Sequence, residues 1–249
     1  MLVWRLRNYC LIINRFFPAF VLILRGNRDT REGSCNSSLF QATVGQNHKW
    51  FRRTGIYLSM LSDLHYQHLL DRMLYFHAIS PGFIRLMKPL LGVINKQKGE
   101  ILLSARQKPA RVWYILKGFI KEVTYDSGIQ RTSWFWGDGD FVYAYPGFFS
   151  QGIAVNDIEV IDDAVLIEIS YEKFMELRNG FDEVPLLVEK IRDYYDGRRL
   201  GHASDLLSLK AAERFRKFIT ENKELFRVAK RRDIASFLGI KDDSLRRFG

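Results

Sequence analysis

KGEILLSARQKPARVWYILKGFIKEVTYDSGIQRTSWFWGDGDFVYAY, residues 98–145, is the stretch that decides the fold. It holds short runs of β-branched and aromatic residues at 101–103, 112–116, 119–125, 129–136 and 141–145, and a further run follows at 165–169. Turn signals separate them: Lys98 and Gly99, Lys117 and Gly118, Asp126–Ser127–Gly128, then Gly137–Asp138–Gly139–Asp140. Many short strands at this spacing predict an antiparallel sandwich or barrel. Asp126–Ser127–Gly128 lies between two alternating runs and predicts a hairpin turn.

Outward from this stretch the pattern turns helical on both sides. Leu61, Leu64, His65, Leu69, Met73, Leu74 and Phe76 are spaced for an amphipathic helix, and Ser80 with Pro81 starts a second over 82–91. Beyond the strands, Ser170 is placed to cap a helix over 171–178, with Gly180 past its end. Val184, Leu187, Val188, Ile191, Tyr194 and Tyr195 then mark a longer helix. Gly197 and Gly201 are expected to interrupt it, each costing up to about 1 kcal/mol of helix propensity. Ala211, Ala212, Phe215, Phe218 and Ile219 mark another helix, ending near Leu225.

The chain has 249 residues and a formal charge of +10, unevenly spread. Residues 1–59 carry +7, residues 60–209 carry −3 and residues 210–249 carry +6. A basic C-terminal module suits a phosphate-contacting surface, as it also suits a solvated helical face. The two cysteines, Cys10 and Cys35, cannot staple the main body or ligate an iron–sulfur cluster there. That fits a reducing cytoplasm. Residues 9–24 are apolar but interrupted by Asn14, Arg15 and Pro18, too short and broken for a membrane span. Residues 1–59 are expected to form a poorly ordered extension, with a membrane anchor as the alternative.

RRDIASFLGIKDDSLRRF, residues 231–248, reads as a helix-turn-helix. Ala235 supplies the small residue where the second helix crosses the first, and Gly239 the turn residue tolerant of positive φ. Ile234, Leu238, Ile240, Leu245 and Phe248 supply the mutual apolar contact. Lys241, Asp242, Asp243, Ser244, Arg246 and Arg247 remain to face a DNA groove. One of Asp242 and Asp243 could cap the second helix while the other accepts from a cytosine amine, and Arg246 or Arg247 could meet guanine or phosphate. The competing reading is a structural helical corner without DNA contact. The chain ends at Gly249, so the second helix is expected to be short and no wing follows.

Taken in order, these residues resemble the Crp/Fnr family of bacterial transcription regulators. Gly99 and Glu100 match its K-G-E opening, Tyr114, Ile115 and Gly118 its Y-I-x-x-G strand end, and Gly139, Asp140 and Phe141 the turn before its ligand pocket. VLIEISYEKFMEL, residues 165–177, matches its last strand and following helix. The resemblance implies an α+β chain: an antiparallel β jelly-roll barrel, a connecting dimer helix and a small, winged-helix-like but truncated C-terminal helical domain. The boundaries expected are 60–180 for a cyclic-nucleotide-binding-like effector domain, 181–208 for the connecting helix and 209–249 for the DNA reader. Double-stranded DNA and a second copy of the chain are the partners it implies.

The effector pocket departs from the family. Tyr143, Ala144 and Tyr145 stand where the resemblance expects Gly-Glu-Leu, and Asn156 and Asp157 stand at or near an expected arginine pair. No Arg or Lys occurs between Arg131 and Lys173, so a buried phosphate would lack counter-charge and Asp157 would repel it. Cyclic AMP is therefore not expected, and no cofactor is. Tyr143, Tyr145, Phe148 and Phe149 either hold a more apolar effector or, the favoured reading, fill the core. His65 and His68 have metal-like spacing, but only His77 or Asp63 lies near as a further ligand, and solvated histidines are expected. No nucleophile–base–acid set or phosphate loop is present, so the chain is not expected to be an enzyme. The alternative to a DNA-binding regulator is a sensor or interaction module of the same fold without DNA binding.

Overall fold

The computed structural model describes residues 55–144, 146–245 and 247, with side chains from residue 63 onward. The apolar run at 9–24, Cys10, Cys35, Tyr145, Arg246 and Phe248 lie outside the described residues. The described part opens with helix α1 (Gly55–Phe76), which starts upstream of Leu61. Helix α2 (Pro81–Met87) follows, capped by Ser80 Oγ, which accepts from Phe83 N. A 3-10 turn (Lys88–Leu90) completes the segment predicted as one helix over 82–91; Pro89 lacks the N–H that would continue it.

Six strands form one antiparallel sheet: β1 (Gly92–Lys96), β2 (Ile101–Leu103), β3 (Arg111–Asp126), β4 (Ile129–Trp136), β5 (Phe141–Val142) and β6 (Asp157–Ser170). The order is β1-β6-β3-β4, with β2 on β6 and β5 on β3. The hairpin forms as expected, with Asp126 opposite Ile129 and with Ser127 at φ 50° and Gly128 at φ 82°. Lys117 and Gly118, expected to separate two strands, instead sit in a bulge within one 16-residue strand. Gly118 has φ 108°, and a Cβ there would lie 2.7 Å from Asp163 O and 2.8 Å from Ala164 Cα. The residue lets β3 bend against β6 without ending it. Strand β1 contains only Val93 and Ile94 as apolar residues and so made no recognisable run. Strand β6 extends far upstream of the predicted 165–169, past Asp162 and Asp163.

Helices α3 (Tyr171–Gly180) and α4 (Glu183–Ser208) follow, α3 capped by Ser170 as predicted. Gly197 and Gly201 do not interrupt α4. Both face open space, so their propensity cost is spent without loss of packing, and Arg198, Arg199 and His202 between and beside them are anchored by tertiary contacts. The helix predicted to end near Leu225 divides at Asn222 into α5 (Ala211–Glu221) and α6 (Lys223–Val228). The chain closes with α7 (Arg231–Phe237) and α8 (Asp242–Leu245).

Alternation along the strands distributes side chains to two faces, and both are covered. One apolar cluster joins Ile120, Trp134, Trp136, Val142, Ile158 and Val160 to the helices α1–α4. The other joins Phe135 and Ile161 to Phe215, Phe218, Leu225, Ile234, Leu238, Ile240 and Leu245. The C-terminal helices therefore complete their core with side chains of the sheet's outer face.

Candidate functional site

Strand β3 carries two adjacent buried charges, Lys121 and Glu122, each 2% exposed. Being consecutive in a strand they point to opposite faces. Glu122 points toward α4. Its Oε1 accepts from Asn156 Nδ2 at 3.0 Å; its Oε2 accepts from Ser133 Oγ at 3.0 Å and from Arg199 Nη1 at 2.9 Å. Arg199 also lies over the rings of Trp134 and Trp136. Tyr143 stands near these charges. Burial, aided by the Asp196 carboxylate, pushes its phenol up to about 12, so it is neutral at physiological pH.

The structure thus brings Tyr143 and Asn156 into one neighbourhood and gives Asp157 a different task. Asp157 Oδ1 accepts from Ala105 N at 2.6 Å and Oδ2 accepts from Tyr125 OH, which ties the start of β6 to β2 and β3. Ala144 is buried. Sequence reasoning missed Glu122, Ser133 and Arg199. The cation beside Asn156, Arg199, comes from α4 and is paired with Glu122.

The Gly137–Asp138–Gly139–Asp140 turn is more than backbone geometry. Asp138 Oδ1 accepts from the bulge residue Gly118 N at 2.8 Å. Asp140 is buried and accepts from Tyr195 OH at 3.0 Å and Arg198 Nη1 at 2.9 Å, while Tyr195 OH accepts from Phe141 N at 2.7 Å. Burial first, then the Asp140 carboxylate, raises the Tyr195 phenol well above its usual value. Helix α4 is therefore fastened to this face at Asp140 and again at Glu122.

On the other face, Lys121 Nζ meets Asp233 Oδ2 at 2.9 Å and Glu159 Oε2 at 3.1 Å. Ser236 Oγ accepts from Thr132 N of β4 at 3.0 Å. His202 of α4 stacks on Phe237, centroids 3.9 Å apart and 3° from parallel, and its Nε2 bonds Phe237 O at 3.1 Å. Burial lowers the His202 pKa. Asp233, Ser236 and Phe237 all belong to α7, so the first helix of the expected helix-turn-helix lies against the sheet.

Ala235 is 3% exposed, Ile234, Leu238, Ile240 and Leu245 are buried, and Gly239 takes φ 62°. Of the residues expected to face a groove, Lys241, Asp243 and Arg247 are exposed and Asp242 and Ser244 half-buried. Asp242 pairs with Arg231 Nε at 3.0 Å. Among the described residues no group of His, Cys, Asp and Glu could hold a metal; His68 Nδ1 instead bonds Tyr114 OH at 2.9 Å. No helix among them is long and apolar enough to cross a membrane.

An apolar cavity of about 120 Å³ lies where α1, α2, α3 and α4 meet the ends of β3 and β6.

Residues 93–180 match the family model of the cyclic nucleotide-binding domain. That stretch has the cyclic nucleotide-binding fold. No curated protein matches the chain. Solved structures do, across the barrel and beyond it. A putative Crp/Fnr-family transcriptional regulator from Eubacterium rectale is 14% identical, with 68% of this chain and 82% of that one covered and a TM-score of 0.56. The c-di-GMP-responsive global regulator CLP of Xanthomonas campestris is 16% identical, covering 68% and 89%, with a TM-score of 0.54. FixK2 of Bradyrhizobium japonicum is 20% identical, covering 64% and 82%, with a TM-score of 0.50. At these identities the likeness is one of fold.

Proposed function

We propose that the chain is a DNA-binding transcription regulator of Crp/Fnr type that works in the cytoplasm without cyclic AMP. The observation that carries the reading is the C-terminal motif. Helix α7 buries Ala235, the chain turns at Gly239 into α8, and Lys241, Asp243 and Arg247, in and beside α8, are exposed. The +6 charge of residues 210–249 supports it. The domain division is then 60–180 for the effector barrel, 181–208 for the connecting helix and 209–249 for the reader. Homodimerisation through α4 is supported by its exposed Leu186, Leu200, Leu206 and Leu207.

The barrel's residues do not fit a cyclic phosphate. Ala144 offers no acid to a ribose, and Asn156 and Asp157 offer no cation. Arg199, which shares the buried Glu122 carboxylate with Asn156, already answers that charge, and the carboxylate would repel a phosphate.

Selection from random duplex DNA at low salt tests the regulator reading. An enriched sequence is expected, with affinity falling steeply as salt rises through counterion release. Arg247→Ala is expected to weaken binding to it by about 1–3 kcal/mol if that side chain reads a base. The absence of any enriched sequence would favour the second reading, a sensor or interaction module. The observation behind that reading is the fastening of α7 to the sheet, Asp233 to Lys121 and Ser236 to Thr132, with α8 a single turn long.

A further inference from the structure

We propose that the cavity between α1, α2, α3 and α4 is a ligand site for a small uncharged aromatic molecule about the size of benzene or phenol. Its volume of about 120 Å³ sets the size. An engineered apolar cavity of about 150 Å³ in another protein stays dry and admits benzene. The pocket is partly open to solvent and almost wholly apolar, so a molecule of this size can enter and remove apolar surface from water against its walls.

The walls set the chemistry. Leu69, Met73, Met87 and Leu187 give aliphatic surface, and Phe83 and Phe174 bring aromatic surface. Aromatic rings prefer edge-to-face or offset partners, which these walls supply to an inserted ring. Glu168 is the one charged residue in the wall among the described residues, and Arg111 Nε stands 3.4 Å from its carboxylate. The Tyr114 hydroxyl, at another wall, is already engaged by His68. A charged ligand would lose its hydration and gain no free partner. The site is thus separate in character from the polar cluster around Glu122, although Tyr143 borders both.

Position gives the site a route to the rest of the molecule. Val184, Leu187, Val188 and Ile191 make the N-terminal half of α4 one wall. The same helix continues to Arg198, Arg199 and His202, which hold Asp140, Glu122 and Phe237. An occupant that stiffens this wall biases where those side chains sit.

The test uses the full chain and benzene itself. Benzene is expected to raise the Tm by about 2–4 °C and to shift, by its ring current, the methyl resonances of Leu69, Met87 and Leu187. Leu187→Phe, which puts a ring into the space from the α4 side, is expected to abolish both responses. Met73→Phe does the same from α1 should the first variant not fold. Methyl resonances that stay in place at saturating benzene would overturn the proposal, and this reading needs no variant. So would a filled variant that responds like the wild type, or displacement of benzene by cyclic AMP, which would assign the space to a nucleotide. None of these readouts involves DNA, so the site stands or falls apart from the regulator reading.

Discussion

Lys121 and Glu122 are neighbours in sequence, equally buried, and bound to different parts of the chain. Glu122 fastens the sheet to α4 through Arg199, and Lys121 fastens it to α7 through Asp233. The inner fastening has four participants and an arginine that is still 31% exposed. The outer one sets a lysine with 2% exposure between two carboxylates. Partial exposure lets Arg199 recover water when its partner is removed. Asp233 and Glu159, 10% and 19% exposed, have less to recover. The pair teaches that a single strand, by its alternation alone, can hold two helical elements by a separate charge pair on each face.

The largest effect is expected from Lys121→Met. It keeps the length of the side chain but leaves Asp233 and Glu159 without their cation, and should destabilise the docking of α7 by about 3 kcal/mol or more. Amide hydrogen exchange should accelerate in α7 and leave α4 largely unchanged. If α4 accelerated as much, the two fastenings would be one. Glu122→Gln should cost less, about 1.5–2 kcal/mol, because an amide still accepts from Arg199 and that guanidinium can turn to solvent. Here the faster exchange should appear in α4, read on the same samples by urea melts. Ser236→Ala removes the acceptor of Thr132 N and should cost about 1 kcal/mol, confined to α7.

The smallest effect is one of pH. His202 has its pKa lowered by burial, so the unfolded chain binds more protons than the folded one below the ordinary value of 6.5. Its contribution to stability is complete above that value and is lost as pH falls through the lower, folded-state value. Thermal melts at pH 7.5 and 5.5 should show a lower Tm at 5.5, and His202→Gln should reduce the difference. An unchanged difference would assign it to another group, such as His65, whose pKa is also lowered.

What could be read in the sequence was what is local. The hairpin at Ser127 and Gly128 depends on residues within a few positions of one another and took its expected form, and in the same local way Ala235 is buried and Gly239 takes a positive φ. Lys121 and Glu122 were not legible as functional because a charge in a strand ordinarily marks a solvent face, and their partners lie 112 and 77 positions away. Gly118 looked like a turn because the contact that demands a glycine, the close approach of Asp163 and Ala164, comes from another strand. Gly197 and Gly201 looked like helix breaks because propensity is additive along the sequence, whereas the anchoring of Arg198, Arg199 and His202 is tertiary. The expected pocket residues divided for a similar reason: Asn156 and Asp157 are adjacent, but β6 begins between them and sends them to different partners.

The bond from Thr132 N to Ser236 has a consequence for solubility. Among the described residues strand β4 ends the sheet, with β3 on one side and no strand on the other. A flat, unpaired strand rim invites pairing with another molecule, and proteins commonly shield it with a helix or loop. Helix α7 is that shield. A chain cut before Arg231 would leave Thr132 to Trp136, rich in tryptophan and phenylalanine, open along its hydrogen-bonding rim, and is expected to aggregate even where its barrel remains folded.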